Sequence, residues 1–565
     1  MLKHDVVIVG GGLAGLTAAL NMPPDADVVV VSKVHPLRSH SVAAQGGINA
    51  ALGNHPEGGE DTPERHAYDT VKGSDFLADQ PAVDLMCREA VPAMAQLDGY
   101  GVPFSRFDGG RIAQRPFGGG GYPRACYAAD RTGHMLLHTL YEQCVGHGVH
   151  FMDEWLVCSL VIDEGRCAGA VLLEIASGEV ETLDARAVIL ATGGYGRVFG
   201  RSTNAYINQG SGIGIAYRAG IPIKDLEFVQ FHPTSLYGTN ILITEGARGE
   251  GAHLVNSEGK RFMADYAPQA MELAPRDIVA RSIQTEIDGG RGIGDGFVHL
   301  DLRHLGEEVI NRRLPGIREI AINFASVDPV TDPIPIQPAQ HYSMGGIDVD
   351  ERCQTSVAGV YAAGECACVS VHGANRLGGN SLLDTIVFGR IAGQEVTRFV
   401  ADAPEAPRHE AALRDAARQT EEKASAWAGR DGGTTVSDLV GRLRSAMMGK
   451  VGIFRNEKDL SEALGEVRQL QEERRSLALG TANRRFSQML VDAFESEAML
   501  DLGEIIALGA LRRRESRGSH YRIDYTGRDD GEWLRHTVVR RDGTEMQMSF
   551  SEVTIDRYPP EERKY

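Results

Sequence analysis

Glycines 10, 12 and 15 carry the first chemistry in this chain. Asp5-Val-Val-Ile-Val-Gly-Gly-Gly-Leu-Ala-Gly15 is a hydrophobic strand running into Gly-x-Gly-x-x-Gly, with Leu13, Leu16, Ala19 and Leu20 spaced as a helix behind it. Gly10 permits the tight turn, and Gly12 has no Cβ to keep the backbone from a pyrophosphate. Gly15 lets the helix that Leu13 and Ala14 open pack on the strand, and that helix N terminus favours phosphate charge. Such a motif means little alone among 67 glycines; the strand and helix flanks make it a dinucleotide site. The next strand, Val28-Val-Val-Val31, ends in Ser32-Lys33. A nicotinamide-binding chain has an Asp or Glu there on the ribose 2′-hydroxyl. Ser32 can still hydrogen-bond a ribose, and the missing carboxylate favours FAD over NAD.

Six further segments carry reactive side chains. They are Arg38-Ser-His-Ser-Val-Ala-Ala-Gln-Gly-Gly47, Phe231-His-Pro-Thr234, Leu242-Ile-Thr-Glu-Gly-Ala-Arg248, Ala274-Pro-Arg-Asp277, Gln340-His-Tyr-Ser-Met-Gly-Gly346 and the stretch from Ser370 to Leu383. Singly, each has a plain reading. His232 before a proline is a satisfied structural histidine, Arg276 a surface ion pair, and His40 a loop residue. The residues alone lead to an FAD-dependent protein with basic groups that could face an anionic substrate.

These groups need a large scaffold. The chain has 565 residues, enough for two to four domains. Residues 1–50 read as strand, helix, strand and glycine-rich loop. Val83, Met86 and Ala90, then Leu136, Leu137 and Leu140, have helical spacing. Leu156–Val161 and Ala168–Leu173 flank a turn at 163–166, and Ala187–Gly194 and Gly359–Gly364 read as two more buried strands. Prolines 329, 333, 335 and 338 predict an extended connection. Leu439, Leu443 and Met447 share one helix face, as do Leu460, Leu464 and Val467. The predicted fold is α/β, a Rossmann-like FAD-binding domain (1–234 and 345–405) interrupted by an α+β capping domain (235–344). A helical domain (406–515) and a small C-terminal domain (516–565) follow.

Composition narrows the partners. With 58 basic and 77 acidic residues the formal charge is −19, a surface that repels nucleic acid and anionic membranes. None of the eight cysteines forms Cys-x-x-Cys, so neither a zinc nor an iron–sulfur site is written here, and reduced cysteines of a cytosolic protein are expected. No signal peptide, transit peptide or membrane-spanning run is read.

Together the segments resemble the flavoprotein subunit of succinate dehydrogenase and fumarate reductase over nearly the whole chain, from the first strand to Glu515-Ser-Arg-Gly-Ser-His520, Arg528-Asp-Asp530 and Trp533. The resemblance implies that His40 binds FAD covalently, making the flavin easier to reduce. It places Gly10, Gly12, Leu13, Ala14, Gly15, Ser32, Lys33, Ser39, His40, Ser41, Gln45, Gly46, Gly47, Glu365, Asn380, Ser381 and Leu382 against FAD. His232, Thr244, His341 and Arg376 hold the carboxylates of a C4 dicarboxylate, and the Phe117 ring closes over it. Arg276 exchanges the substrate proton, with Glu245 and Arg248 as its relay. No metal is implied.

That assignment has a physical logic. Removing a hydride from one methylene and a proton from the other demands tightly held geometry, and two carboxylates call for cationic clamps. Arginine acts as a base only if clustered charge and a carboxylate let it release its proton transiently. Two departures from the family stand out. An acidic residue often found in the segment Asn208–Gly212 is Ser211 here, and the loop after Phe117 is short and glycine-rich. Gln45, where some fumarate reductases carry Glu, leans toward succinate oxidation. The resemblance implies a separate iron–sulfur subunit, a membrane anchor and a position at the cytoplasmic face of the inner membrane. The rivals are fumarate reduction, a soluble L-aspartate oxidase and a non-enzymatic dinucleotide sensor.

Overall fold

The computed structural model describes residues 1–402, 409–430 and 432–564. The first hydrophobic run is strand β1 (Leu2–Val9), followed by helix α1 (Leu13–Leu20) and strand β2 (Val28–Ser32). β1 pairs in parallel with β2 on one side and with β3 (Val180–Leu190) on the other. Both faces of these strands are covered, so their sequences read as unbroken apolar runs and not as alternating ones. Val7, Ile8, Val29, Val30, Val188 and Ile189 are inaccessible to solvent, each contributing about 1.5–3 kcal/mol relative to exposure.

The sheet has seven strands, with the order His150–Asp153, β2, β1, β3, Arg166–Glu174, Trp155–Asp163, and Val360–Ala362 added to β3. The expected hairpin across 163–166 and both later strands are present. The glycine loop is built as its residue types require. Gly10 has φ +115°, and a Cβ there would meet the Ala191 carbonyl oxygen at 2.3 Å; one on Gly15 would meet the Gly10 oxygen at 2.0 Å.

Strands β4 (Val229–Leu236) and β5 (Ile334–Ser343) pair antiparallel. They carry the chain into and out of an inserted α+β unit, where Val298–Asp301 and His253–Val255 complete a four-stranded sheet. Leu236, Ile243, Leu254, Phe262, Ile283 and Leu300 form its separate core. Two expectations change here. The predicted boundary between residues 234 and 235 falls inside β4. The proline-rich connection is already strand from Ile334 onward, with Pro335 opposite His299. Pro335 lacks only a donor, and its carbonyl accepts from Tyr237 N at 3.0 Å.

The site-bearing helices are α2 (Glu245–Gly249), α3 (Arg276–Glu286) and α4 (Asn380–Asp402). Beyond them lie Glu410–Ala428, Val436–Lys450, Glu457–Arg474 and α5 (Gln488–Arg512). The two predicted apolar faces are buried, and their core is continuous with that of the seven-stranded sheet. The boundary expected at 405/406 lies outside the described residues.

The C-terminal segment is not a domain of its own. Its hairpin, Arg535–Asp542 with Glu545–Glu552, extends a five-stranded sheet through Ile223–Lys224. Val553 packs with Leu77, Phe228, Tyr342 and Met344, and Gln80 Oε1 accepts from the backbone N–H groups of Asp556, Arg557 and Tyr558. Among the described residues all eight cysteines are free, no His, Cys, Asp and Glu cluster suits a metal ion, and no helix is long and apolar enough to cross a membrane.

Candidate active site

A cavity of about 670 Å³ runs from the glycine loop to the junction with the inserted unit. At one end lie Gly10, Gly12, Leu13 and Ala14 beside Ser32 and Lys33. Ser39, His40, Ser41, Gln45, Gly46 and Gly47 form the middle with Glu365, Ser381 and Leu382. Phe117, His232, Thr244, Glu245, Arg276, His341 and Arg376 close the far end. The N termini of α1 and α4 both meet this space, and their helix dipoles favour negative charge there.

Three expected residues lie off the wall. Gly15 packs behind the loop, and Arg248 stands behind Glu245. Asn380, expected against FAD, is the third of these residues off the cavity wall. Its side chain joins a buried network, accepting from Asn49 Nδ2 at 2.7 Å and donating to Thr70 Oγ1 at 2.9 Å, with His66 Nε2 at 3.0 Å. It anchors the start of α4 and leaves Ser381 and Leu382 to face the cavity.

His40 is held as a neutral ring. Ala205 N–H donates to its Nδ1 at 3.1 Å, and Nε2 lies 3.2 Å from the Asn204 amide nitrogen. Burial, and then the nearby Arg197, lower its pKa to about 4. A ring nitrogen without a proton is the form that can bond to carbon.

At the far end, Thr244 caps α2, its Oγ1 accepting from Gly246 N at 3.1 Å. Glu245 follows in the first turn, where the helix dipole favours its charge. Its Oε1 accepts from Gly118 N at 2.8 Å and its Oε2 from Arg276 Nε at 2.7 Å, while Arg248 Nη2 is 3.6 Å from Oε1. Burial alone would raise the Glu245 carboxyl, but Arg276 and Arg248 outweigh it and hold it below its ordinary value. Gly378 makes this arrangement possible, since a Cβ there would meet Glu245 Oε2 at 2.8 Å.

Arg276 opens α3 and donates from Nη1 to Gln230 Oε1 at 3.1 Å. Arg376 donates from Nη2 to the same oxygen at 3.1 Å and from Nη1 to Ser381 Oγ at 3.0 Å, and its Cζ sits 4.3 Å from the Tyr342 ring centroid. Burial, then Arg276, lower Arg376 to about 9, still charged at neutral pH. His232 and His341 face each other across β4 and β5 with ring centroids 4.8 Å apart. Burial first, and then the neighbouring charged and ring groups, push both far below their ordinary values, so they are neutral donors or acceptors. Arg276 and Arg376 bring two guanidiniums to the same end of the cavity, positive charge suited to a dicarboxylate.

Gln230 was not legible as a site residue. It is fully buried and orders both arginines. The one available signal is its position two residues before His232, which puts both on one face of β4. Thr203, whose Oγ1 lies 2.8 Å from His341 Nδ1, and Asn204 were missed likewise.

The cavity fits a flavin dinucleotide. Ser39 Oγ, Gln45 Oε1 and Arg376 Nε are buried on its wall without hydrogen-bond partners among the described residues, groups that a polar ligand would satisfy. A glycine-loop α/β domain, an inserted cap and a buried cationic pocket at their junction define an FAD-dependent oxidoreductase. Residues 5–382 match the FAD binding domain family, and residues 441–565 match the fumarate reductase flavoprotein C-terminal family. The chain is 43% identical to the succinate dehydrogenase flavoprotein subunit of Rickettsia felis, across 100% of this chain and 98% of that one. It is 42% identical to the fumarate reductase flavoprotein subunit of Mycobacterium tuberculosis, across 100% and 99%. A solved E. coli quinol fumarate reductase chain superposes with a TM-score of 0.95 at 39% identity, covering 100% of this chain and 99% of that one. The chain belongs to the family of succinate dehydrogenase and fumarate reductase flavoprotein subunits.

Proposed function

We propose that this chain interconverts succinate and fumarate, working toward succinate oxidation, with FAD bonded covalently to His40. The observation that carries this reading is the buried Arg276–Glu245 pair beside Arg376, His232 and His341. Bound FAD supplies a two-electron acceptor for the hydride that leaves one methylene carbon. Arg376, His232, His341 and Thr244 grip the two carboxylates, and Phe117, packed on Gly46, excludes water. Arg276 takes the proton from the other methylene as its own passes to Glu245, which becomes the neutral acid, and Arg248, 3.6 Å from Oε1, continues the relay. In fumarate reduction the same guanidinium donates.

Electrons then pass to an iron–sulfur subunit and on to quinone in a membrane anchor, which places this chain at the cytoplasmic face of the membrane. The Arg276 geometry serves both directions, and Gln45 is the residue that favours oxidation over reduction.

Acid precipitation of the purified chain tests the linkage. Flavin fluorescence should stay with the pellet, and in His40→Ser it should move to the supernatant. Anaerobic succinate should bleach the flavin. Flavin free in the wild-type supernatant would refute the covalent bond, and a flavin left unbleached would refute the activity.

A further inference from the structure

The end of β2 lacks the carboxylate that dinucleotide folds use to grip a ribose, and Ser32, whose hydroxyl donates to Val34 O at 2.6 Å within its own turn, offers only a neutral acceptor in its place. Ser211, the first residue of the helix Ser211–Arg218, contributes only a hydroxyl to the neighbouring wall. A carboxylate does reach this spot, but from the helical region. Glu495 on α5 has a side chain that is 1% exposed and forms an ion pair with Lys33 Nζ, which also donates to Ile207 O at 3.0 Å. The Ser211 hydroxyl is close enough to favour the charged carboxylate, and Oε2 has no hydrogen-bond partner among the described residues.

Burial raises the Glu495 carboxyl above its ordinary value, and Lys33 opposes that rise. For stability alone an apolar side chain would serve α5 as well or better. What the charge does is order two groups on the cavity wall. Lys33 has a long flexible stem, and held between Glu495 and Ile207 it presents its ammonium at one place. Trp155, Leu156 and Val157 form the apolar wall beside it, suited to a purine.

We infer that Glu495 is the positioning residue for the adenosine end of the cofactor, fixing Lys33 and Ser211 as the groups that grip the ribose in place of a β2 carboxylate. The helical region thereby supports the dinucleotide site from behind, although none of its described residues lines the cavity. This rests on the FAD reading of the cavity.

The test uses a His40→Ser background, in which flavin binds reversibly. Binding of FAD and of FMN, which has no adenosine, is measured by fluorescence quenching. Adding Glu495→Gln should weaken FAD at least 10-fold while FMN is unchanged, because only the adenosine contacts are lost. Lys33→Gln, which breaks the same pair from the cavity side, should give the same FAD-selective loss. Adding Ser211→Asp to Glu495→Gln should restore most of the FAD affinity. Equal FAD affinity with and without Glu495→Gln, or a parallel loss of FMN, would overturn the role of Glu495 while leaving the cofactor reading intact. A His40→Ser parent that binds neither flavin would overturn the cofactor reading itself.

Discussion

Arg276 and Arg376 donate to the same atom, Gln230 Oε1, at 3.1 Å each. Two like charges so close in a dry pocket repel strongly, and a shared acceptor offsets part of that. Gln230 is itself fixed by donating to Asn375 Oδ1 at 2.9 Å and Arg376 O at 2.8 Å. The proton-handling arginine and the clamping arginine therefore move as one unit. Gln230→Leu should lower kcat/KM for succinate by about 10²-fold, the scale of one lost positioning contact in a buried site. FAD content should not change. Steady-state kinetics with flavin quantitation decides it, and near-normal kcat/KM would show that the arginines hold their places without the glutamine.

Arg276 makes two geometrically distinct bonds, Nε to Glu245 and Nη1 to Gln230. A lysine ammonium is a point charge without that fork. Arg276→Lys should lose at least 10²–10⁴-fold in kcat, roughly the range for removing a positioned acid–base group, and Arg276→Ala should lose turnover altogether with FAD still bound. Retained activity in the alanine variant would exclude the proton-transfer role.

Stability has its own titrating group. His536 in the C-terminal hairpin is buried, its Nδ1 2.6 Å from Asp225 and its Nε2 3.3 Å from Asp79. Burial would lower its pKa, but the two carboxylates outweigh that and raise it to about 9. A raised folded-state pKa stabilises fully below the unfolded value near 6.5, and the contribution fades as pH climbs through 9. The shift corresponds to about 3 kcal/mol. Wild type should therefore lose its margin over His536→Gln between pH 6.5 and 9, read as converging Tm values. A margin constant across that range would mean that the histidine stays neutral.

The legible features were the local ones. Strand β1, the glycine loop and the apolar faces at Leu439–Met447 and Leu460–Val467 follow from periodicity, which is set by neighbours in sequence. The C-terminal hairpin was not legible as part of a larger sheet, because Val539 pairs with Ile223 more than three hundred residues away and nothing local marks that partner. The clamp at His232, Thr244, His341 and Arg376 came from resemblance, since each residue alone has an ordinary structural reading. Gln230 and Glu495 escaped for a different reason. One is neutral and the other belongs to a scaffold helix, so only three-dimensional proximity shows what either side chain orders.

Gly378 sets how closely the reacting groups can approach one another. A Cβ there would meet Glu245 Oε2 at 2.8 Å, Phe117 Cδ2 at 3.2 Å and Arg276 Nη2 at 3.4 Å. Glu245 cannot swing aside cheaply, because Arg276 and the Gly118 N–H hold both of its oxygens. Gly378→Ala should therefore leave the fold and FAD content intact while displacing the Arg276–Glu245 pair and the Phe117 ring together. The expected result is a fall of about 10²-fold in kcat, as for other small displacements of a positioned group, with Tm shifted by only a few degrees. Full activity in this variant would mean that the pocket has slack the packed distances do not show, and would weaken the case that proton transfer depends on the Arg276–Glu245 contact as built.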